Sequence, residues 1–267
     1  MTHWLRYYTA QLSTDLALEF QYRVSSFIWL IGMIVEPVMY LVVWQTVAGA
    51  QGGSVGSFTV GDFAAYYILL MLVNHLTFTW IMWEYERYIR EGELSTYLLR
   101  PIHPIHKDIA ANIAYKIMTL AGLLPVALIL VWAFRPTFTV VPWALIAFVP
   151  ALAIAAGLRF VSGWTLALAA FWTTRTNAVN QAYFVALLFF SGRLAPMELF
   201  PRWVQILADI LPFKWMVAFP VELAMGRLTV QETLIGFGAQ AIWVGISWLG
   251  MIWVWRAGIK TYSAVGA

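Results

Sequence analysis

Glu36 and Arg159 are full charges set near the centres of long apolar stretches, and Asn74 and His75 stand at similar depth in a third such stretch. A charge in hydrocarbon is costly, so such residues face a partner, a protein interior or a water-filled path, and they default to functional roles. Two readings follow from residue type alone. Either the four side chains line a cavity and stabilise a substrate group, or Glu36 and Arg159 form a buried structural ion pair. Glu36, His75 and Arg159 would also suit an ion-coupled secondary transporter, whose proton or ion sites lie near the membrane midplane.

Other chemistry finds little support. His103 and His106 flank Pro104, but two imidazoles without a third ligand make a poor metal site, and no H-E-x-x-H pattern or carboxylate cluster completes one. No G-x-S-x-G elbow presents a serine nucleophile. The absence of Cys removes thiolate catalysis and disulfides. No catalytic residue and no metal ligand is therefore assigned. The loop G-x-x-x-x-G-K-[ST], whose amides and Lys cradle nucleotide phosphates, does not occur either. If ATP drives this protein, another chain binds it.

The elements that position these residues follow from composition. Of 267 residues, 62% are hydrophobic and 11% charged, whereas a soluble domain is about 45–50% apolar and about 25% charged. A chain of this length cannot bury so much apolar surface within itself, so lipid is its solvent. The 15 Trp and 12 Tyr fit the two membrane interfaces, where amphipathic rings collect. A net charge of +3 spread along the chain offers no phosphate-tracking run, which argues against a nucleic-acid partner. Residues 1–23 carry Arg6, Asp15, Glu19 and Arg23 where a cleavable signal peptide would be apolar. Leu5, Tyr8, Leu12, Leu16 and Phe20 recur there at steps of three and four, which predicts an amphipathic helix lying on the membrane.

A hydrocarbon core about 30 Å thick needs about 20 apolar residues per helix. Six stretches qualify: Val24–Val47, Phe63–Trp83, Ile113–Phe134, Pro142–Phe171, Val179–Leu194 and Leu234–Trp255. The fold class is thus an all-α integral membrane protein, with an interfacial helix over 1–23 and one six-span domain over 24–267. The fourth stretch requires tilt or a break near Gly157, and the fifth is short, ending near Gly192 and Pro196. On one side fall ten cations, Arg6, Arg23, Arg87, Arg90, Arg100, Lys107, Lys116, Arg175, Arg256 and Lys260; on the other fall five, Arg135, Arg193, Arg202, Lys214 and Arg227. The positive-inside rule makes the first side cytoplasmic, with both termini there.

Two connections are more than linkers. Residues 84–107 pair Glu86 with Arg90 and Arg87 with Glu91 at helical spacing, predicting a helix that continues out of the membrane into water. Gly92 loosens it, and Leu94, Tyr97 and Leu98 then share a face of a short helix ending before Pro101. Residues 196–231 contain Pro196, Pro201, Pro212 and Pro220, which rules out one straight helix. They predict two short external helices, about Pro201–Ile210 and Pro212–Ala224, with Trp203 and Trp215 at the outer interface.

The run IREGELSTYLLRPIHPI, from Ile89 to Ile105, resembles the loop between the second and third spans of ABC-type-2 transporter permeases, through Gly92, Leu94, Leu98, Leu99 and Pro101. The run LFFSGRLAPMELFPRWVQILADILPF, from Leu188 to Phe213, resembles their signature after the fifth span, through Gly192, Pro196, Pro201, Trp203 and Pro212. The likeness extends over the chain and is nearest to the bacterial branch in which two related permeases are encoded with one ATPase. It implies a multi-pass protein of the bacterial cell (inner) membrane, exporting a substrate between paired permeases. It also implies separate cytoplasmic ATPase subunits that hold ATP and Mg, dock on the loop carrying Glu86, Arg90, Leu94, Tyr97, Leu98 and Arg100, and leave this chain without a cofactor. Glu36, Pro37 and Arg159 match no motif of that family, and no substrate carries over.

Overall fold

Away from water, the backbone must satisfy its own polar groups, so the long apolar stretches fold as helices. The computed structural model describes residues 2–173 and 176–262; Arg175, counted above among the loop cations, lies outside them. The order is α1 (Thr2–Gln21), α2 (Arg23–Ala50), a hairpin of β1 (Ser54–Val55) and β2 (Phe58–Thr59), α3 (Val60–Thr77), α4 (Ile81–Arg90), α5 (Leu94–Leu98) and α6 (Ile105–Phe134). Then follow α7 (Pro142–Ala167) with a 3-10 turn to Phe171, α8 (Thr176–Phe190), α9 (Arg202–Ile210), α10 (Phe213–Met216), α11 (Ala218–Ala224) and α12 (Val230–Gly258). Apart from the hairpin, the fold is all-α.

Among the described residues, five segments are long and apolar enough to cross a membrane: Arg23–Ala50, Val60–Arg90, Ile105–Phe134, Pro142–Phe171 and Val230–Gly258. They coincide with five of the six expected stretches. The stretch expected at Val179–Leu194 is the exception, because α8 has 15 residues, about 22 Å at 1.5 Å per residue. The helix expected to tilt or break near Gly157 runs unbroken through it and tightens only at Leu168. α6 begins at Ile105, two turns earlier than expected, because its first turns pack against α1, where Tyr8 Oη meets His106 Nδ1 at 2.7 Å.

The first four segments alternate in direction, and α12 runs parallel to α7, with Gln240 at Ala151 and Trp255 at Trp164. At one end, Ser95 meets Tyr262 at 2.8 Å and His103 packs on Trp255 at 4.5 Å, so both described termini gather at the 84–107 connection. At the other end, Arg227 bonds Ser57 and Asp62, and Thr137 donates to Asp62. Capping boxes start α3 (Thr59, Asp62) and α12 (Thr229, Glu232) there, supplying the orphan amides of each first turn.

Two expectations about the connections change. α4 does not run into water: Ile81, Met82, Tyr85 and Tyr88 are buried, and the helix packs on α7. The segment after α8 forms three short helices rather than two, and its second half is internal. Pro220 would clash with the carbonyl of Met216 in a continuous helix, so the chain breaks at Val217, where φ is −134°. Val217 to Val221 and Leu223 are then buried, with α11 against α3 and α7. Gln240 of α12 donates to the carbonyls of Ala151 and Trp215, both at 3.0 Å, and ties this insert to two long helices. Trp203 is 64% exposed as an interfacial ring would be, but Trp215 is 7% exposed and belongs to the core rather than to the outer interface.

Gly192 ends the chain's descent from α8 with φ +83°, and a Cβ there would meet the Tyr66 hydroxyl at 2.4 Å and the Ala218 Cβ at 2.9 Å. Gly192→Ala is expected to lower stability by about 2 kcal/mol or more through left-handed strain and overpacking. Gly245→Ala, which meets open space, should leave the thermal unfolding midpoint in detergent unchanged.

Candidate functional site

The intramembrane polar residues converge, but not in the pairing that type alone suggested. Arg159, midway along α7 and 2% exposed, donates from Nη1 to Asn74 Oδ1 and to Thr77 Oγ1, both at 2.8 Å. Thr77 passes the interaction on by donating to the Val73 carbonyl at 2.9 Å. Arg159 also lies 5.6 Å over the Phe78 ring and near the Tyr183 hydroxyl. Both 2.8 Å partners are side-chain oxygens from the last turn of α3, so the cation sits where that helix ends.

Glu36 is bound elsewhere. Its carboxylate pairs with Arg193 at 2.5 Å, so the expected Glu36–Arg159 ion pair does not form. The reason is the shortness of α8, which drops residues 191–196 to the level of the middle of α2. That strand of chain is held from three sides. Tyr66 donates to the Gly192 carbonyl at 2.8 Å, while Tyr67 and Trp44 both donate to the Leu194 carbonyl at 2.9 Å. Arg193, counted above with the outer loops, is thus an interior cation within electrostatic reach of Arg159.

His75 is buried and meets Thr119 Oγ1 at 3.0 Å. Beside it, Lys116 donates to Asn112 Oδ1 at 2.6 Å, and Asn112 donates to the Phe78 carbonyl at 3.3 Å. Lys116 is therefore an interior residue of α6 rather than a loop cation. Asp108 anchors the end of this ladder, accepting from Trp164 Nε1 at 2.9 Å and Tyr85 Oη at 3.1 Å. Sequence reasoning missed Asp108, Asn112, Lys116 and Thr119, although their spacing of four, four and three marks one face of α6.

The connection 84–107 is a folded platform. Glu86 keeps Arg90 at 3.8 Å, as its spacing requires, and also accepts from Thr176. Arg87 does not reach Glu91: Gly92, at φ +75°, turns the chain so that Glu93 takes Arg87 at 2.5 Å. Lys107 lies 4.6 Å from the centres of both the Tyr88 and Tyr97 rings, fastening α5 to the bundle. Leu94 is buried in the core below, so the face expected to be shared with Tyr97 and Leu98 is divided. The exposed apolar tip is Leu98, at 36%, with Leu99, at 87%, next to Arg100 and Pro101. His103 and His106 are engaged separately, His103 with the Ile105 amide and His106 with Tyr8.

The remaining singled-out residues serve the insert: Pro196 precedes a 3-10 turn, and Pro201 and Pro212 stand immediately before α9 and α10.

If Glu36 and Arg193 are the true pair, a double-mutant cycle of Glu36→Gln with Arg193→Gln should return a coupling of about 1 kcal/mol or more in thermal unfolding. The cycle of Glu36→Gln with Arg159→Gln should return a smaller value; the reverse order would reassign the pair.

No curated protein and no solved structure matches the chain. The family model described as ABC-2 family transporter protein matches residues 34–266, from the middle of α2 through α12. That span takes in the five membrane-length segments after the first turns of α2, the 84–107 platform and the tyrosine-held insert, so the chain belongs to the ABC-2 transporter family, membrane transport components that are not themselves catalytic.

Proposed function

We propose that this chain is the permease subunit of an ATP-driven exporter, forming its transport path with a second six-span permease and driven by separate ATPase subunits. The observation that carries the reading is the platform at residues 84–107, in a chain of this family that has no phosphate-cradling loop. α5 is fixed to the bundle through Leu94 and Lys107 while Leu98 and Leu99 stand out from it. A rigid base under an exposed apolar tip suits transmission of force from a moving partner: a flexible loop would absorb the displacement.

In this reading α8 is the fifth span, completing six, and α9 with its neighbours faces the external side. The platform end, which gathers most of the cations, faces the cytoplasm of a bacterial cell, with both termini there. ATP and Mg belong to the partner. The ion-coupled alternative loses support from the geometry, since Glu36 is taken by Arg193 and does not join His75 and Arg159 in one relay.

Three outcomes test this. The purified chain alone should turn over no ATP, and specific hydrolysis by it would end the proposal. Leu98→Asp and Leu99→Asp should each weaken co-purification with the ATPase subunit by about tenfold or more, because a carboxylate would be left unpaired in the interface. Both variants should still insert and keep their thermal midpoint. Wild-type binding and transport by both would remove the platform tip as the coupling surface.

A further inference from the structure

A cavity of about 280 Å³ opens beside the platform, where the junction of α1 and α2, the break between α3 and α4 and the start of α6 meet. The aromatic rings of Tyr22, Trp29, Trp80 and Tyr115 line it. Trp29 and Trp80 pack at 4.8 Å between centroids and stay partly exposed, so this wall faces the surrounding lipid.

Three carboxylates, Glu19, Glu84 and Asp108, line the same space, and no Lys or Arg does. Glu19 accepts a hydrogen bond from Ser26 at 2.7 Å and Glu84 one from Tyr88 at 3.2 Å; among the described residues neither forms an ion pair. Two cations stand behind this lining, Lys107 at 3.7 Å from Asp108 and Lys116 bonded to Asn112, and neither reaches Glu19 or Glu84 in an ion pair among the described residues.

Thr79 belongs to the same wall. It lines the cavity, is 5% exposed, and its Oγ1 has no hydrogen-bond partner. A buried hydroxyl without a partner is costly, so the protein leaves polar demand unmet in this wall.

We propose that this cavity binds an ammonium group carried on an apolar tail, drawn from the membrane surface. Aromatic faces attract such a cation and are enriched where quaternary ammonium groups are recognised. The two unpaired carboxylates complement its charge, and the lipid-facing tryptophans accept its tail. An anionic amphiphile would meet the unpaired Glu19 and Glu84. The proposal goes beyond the permease reading and requires neither nucleotide nor partner.

The test is photolabelling of the full chain in a nonionic maltoside detergent with dodecyltrimethylammonium bearing a chain diazirine. Labelling is expected to saturate and to map to peptides holding Trp29 or Trp80. Unlabelled dodecyltrimethylammonium should compete at a concentration at least about tenfold below that of dodecanol, which has the same tail without the charge. The Glu19→Gln, Glu84→Gln double variant should raise the half-saturating concentration about tenfold. Competition by added phosphatidylethanolamine would identify a membrane aminolipid as the source of the ammonium group, and its failure to compete would identify a free amphiphilic amine. Equal competition by dodecanol on the unmodified chain, labelling that does not saturate, or an unchanged half-saturation in a folded double variant would overturn the proposal. None of those results would bear on ATP coupling, which the assay does not involve.

Discussion

The burial of Arg159 constrains the arrangement of the helices around it. A guanidinium removed from water must be met by oxygen atoms, and in an apolar bundle few side chains carry them. α3 stops at Thr77, offering Asn74 and Thr77 to the cation. The break that follows, Phe78 to Trp80, turns the chain into α4. α4 can then lie against α7 as part of the bundle instead of extending into water. The charge at the centre and the approach to the platform thus meet at one interruption.

A second interruption, at the end of α8, has a comparable effect. Because α8 has only 15 residues, the chain turns inside the bundle and must find donors for its free carbonyls. Tyr66, Tyr67 and Trp44 supply them, and the turn presents Arg193 to Glu36. Of the short helices after it, α11 fills the interior, where Val217–Val221 are buried, while α9 keeps Trp203, Ile206 and Ile210 exposed. Polar groups from α2, α3, α6 and α7 therefore meet in the interior, Glu36 with Arg193, Asn74 and Thr77 with Arg159, and His75 with Thr119.

Carboxylates gather at the terminal end, in the cavity flanked by Trp29 and Trp80, while the platform beside it leaves Leu98 and Leu99 exposed. Under the two proposals, the cavity's ligand and the platform's partner act on adjoining elements, α4 and the start of α6 for the first and α5 for the second.

The sequence by itself determined the solvent, the helical class, the positions of five membrane-length segments and the family signatures. Each of these depends on local quantities: apolar run length, the period of a helix, and the positions of Gly and Pro. It also placed Glu86 opposite Arg90, since spacing along one helix is a local property. Only the tertiary structure decided which distant charges meet. Glu36 and Arg159 have matching depths along their helices, but depth does not fix azimuth, and a turn donated by a third segment brought Arg193 to Glu36 instead. The same limit hid the burial of Leu94 and Trp215: a helical face is legible in the sequence, but the element that covers it is set by packing with residues far away in the chain.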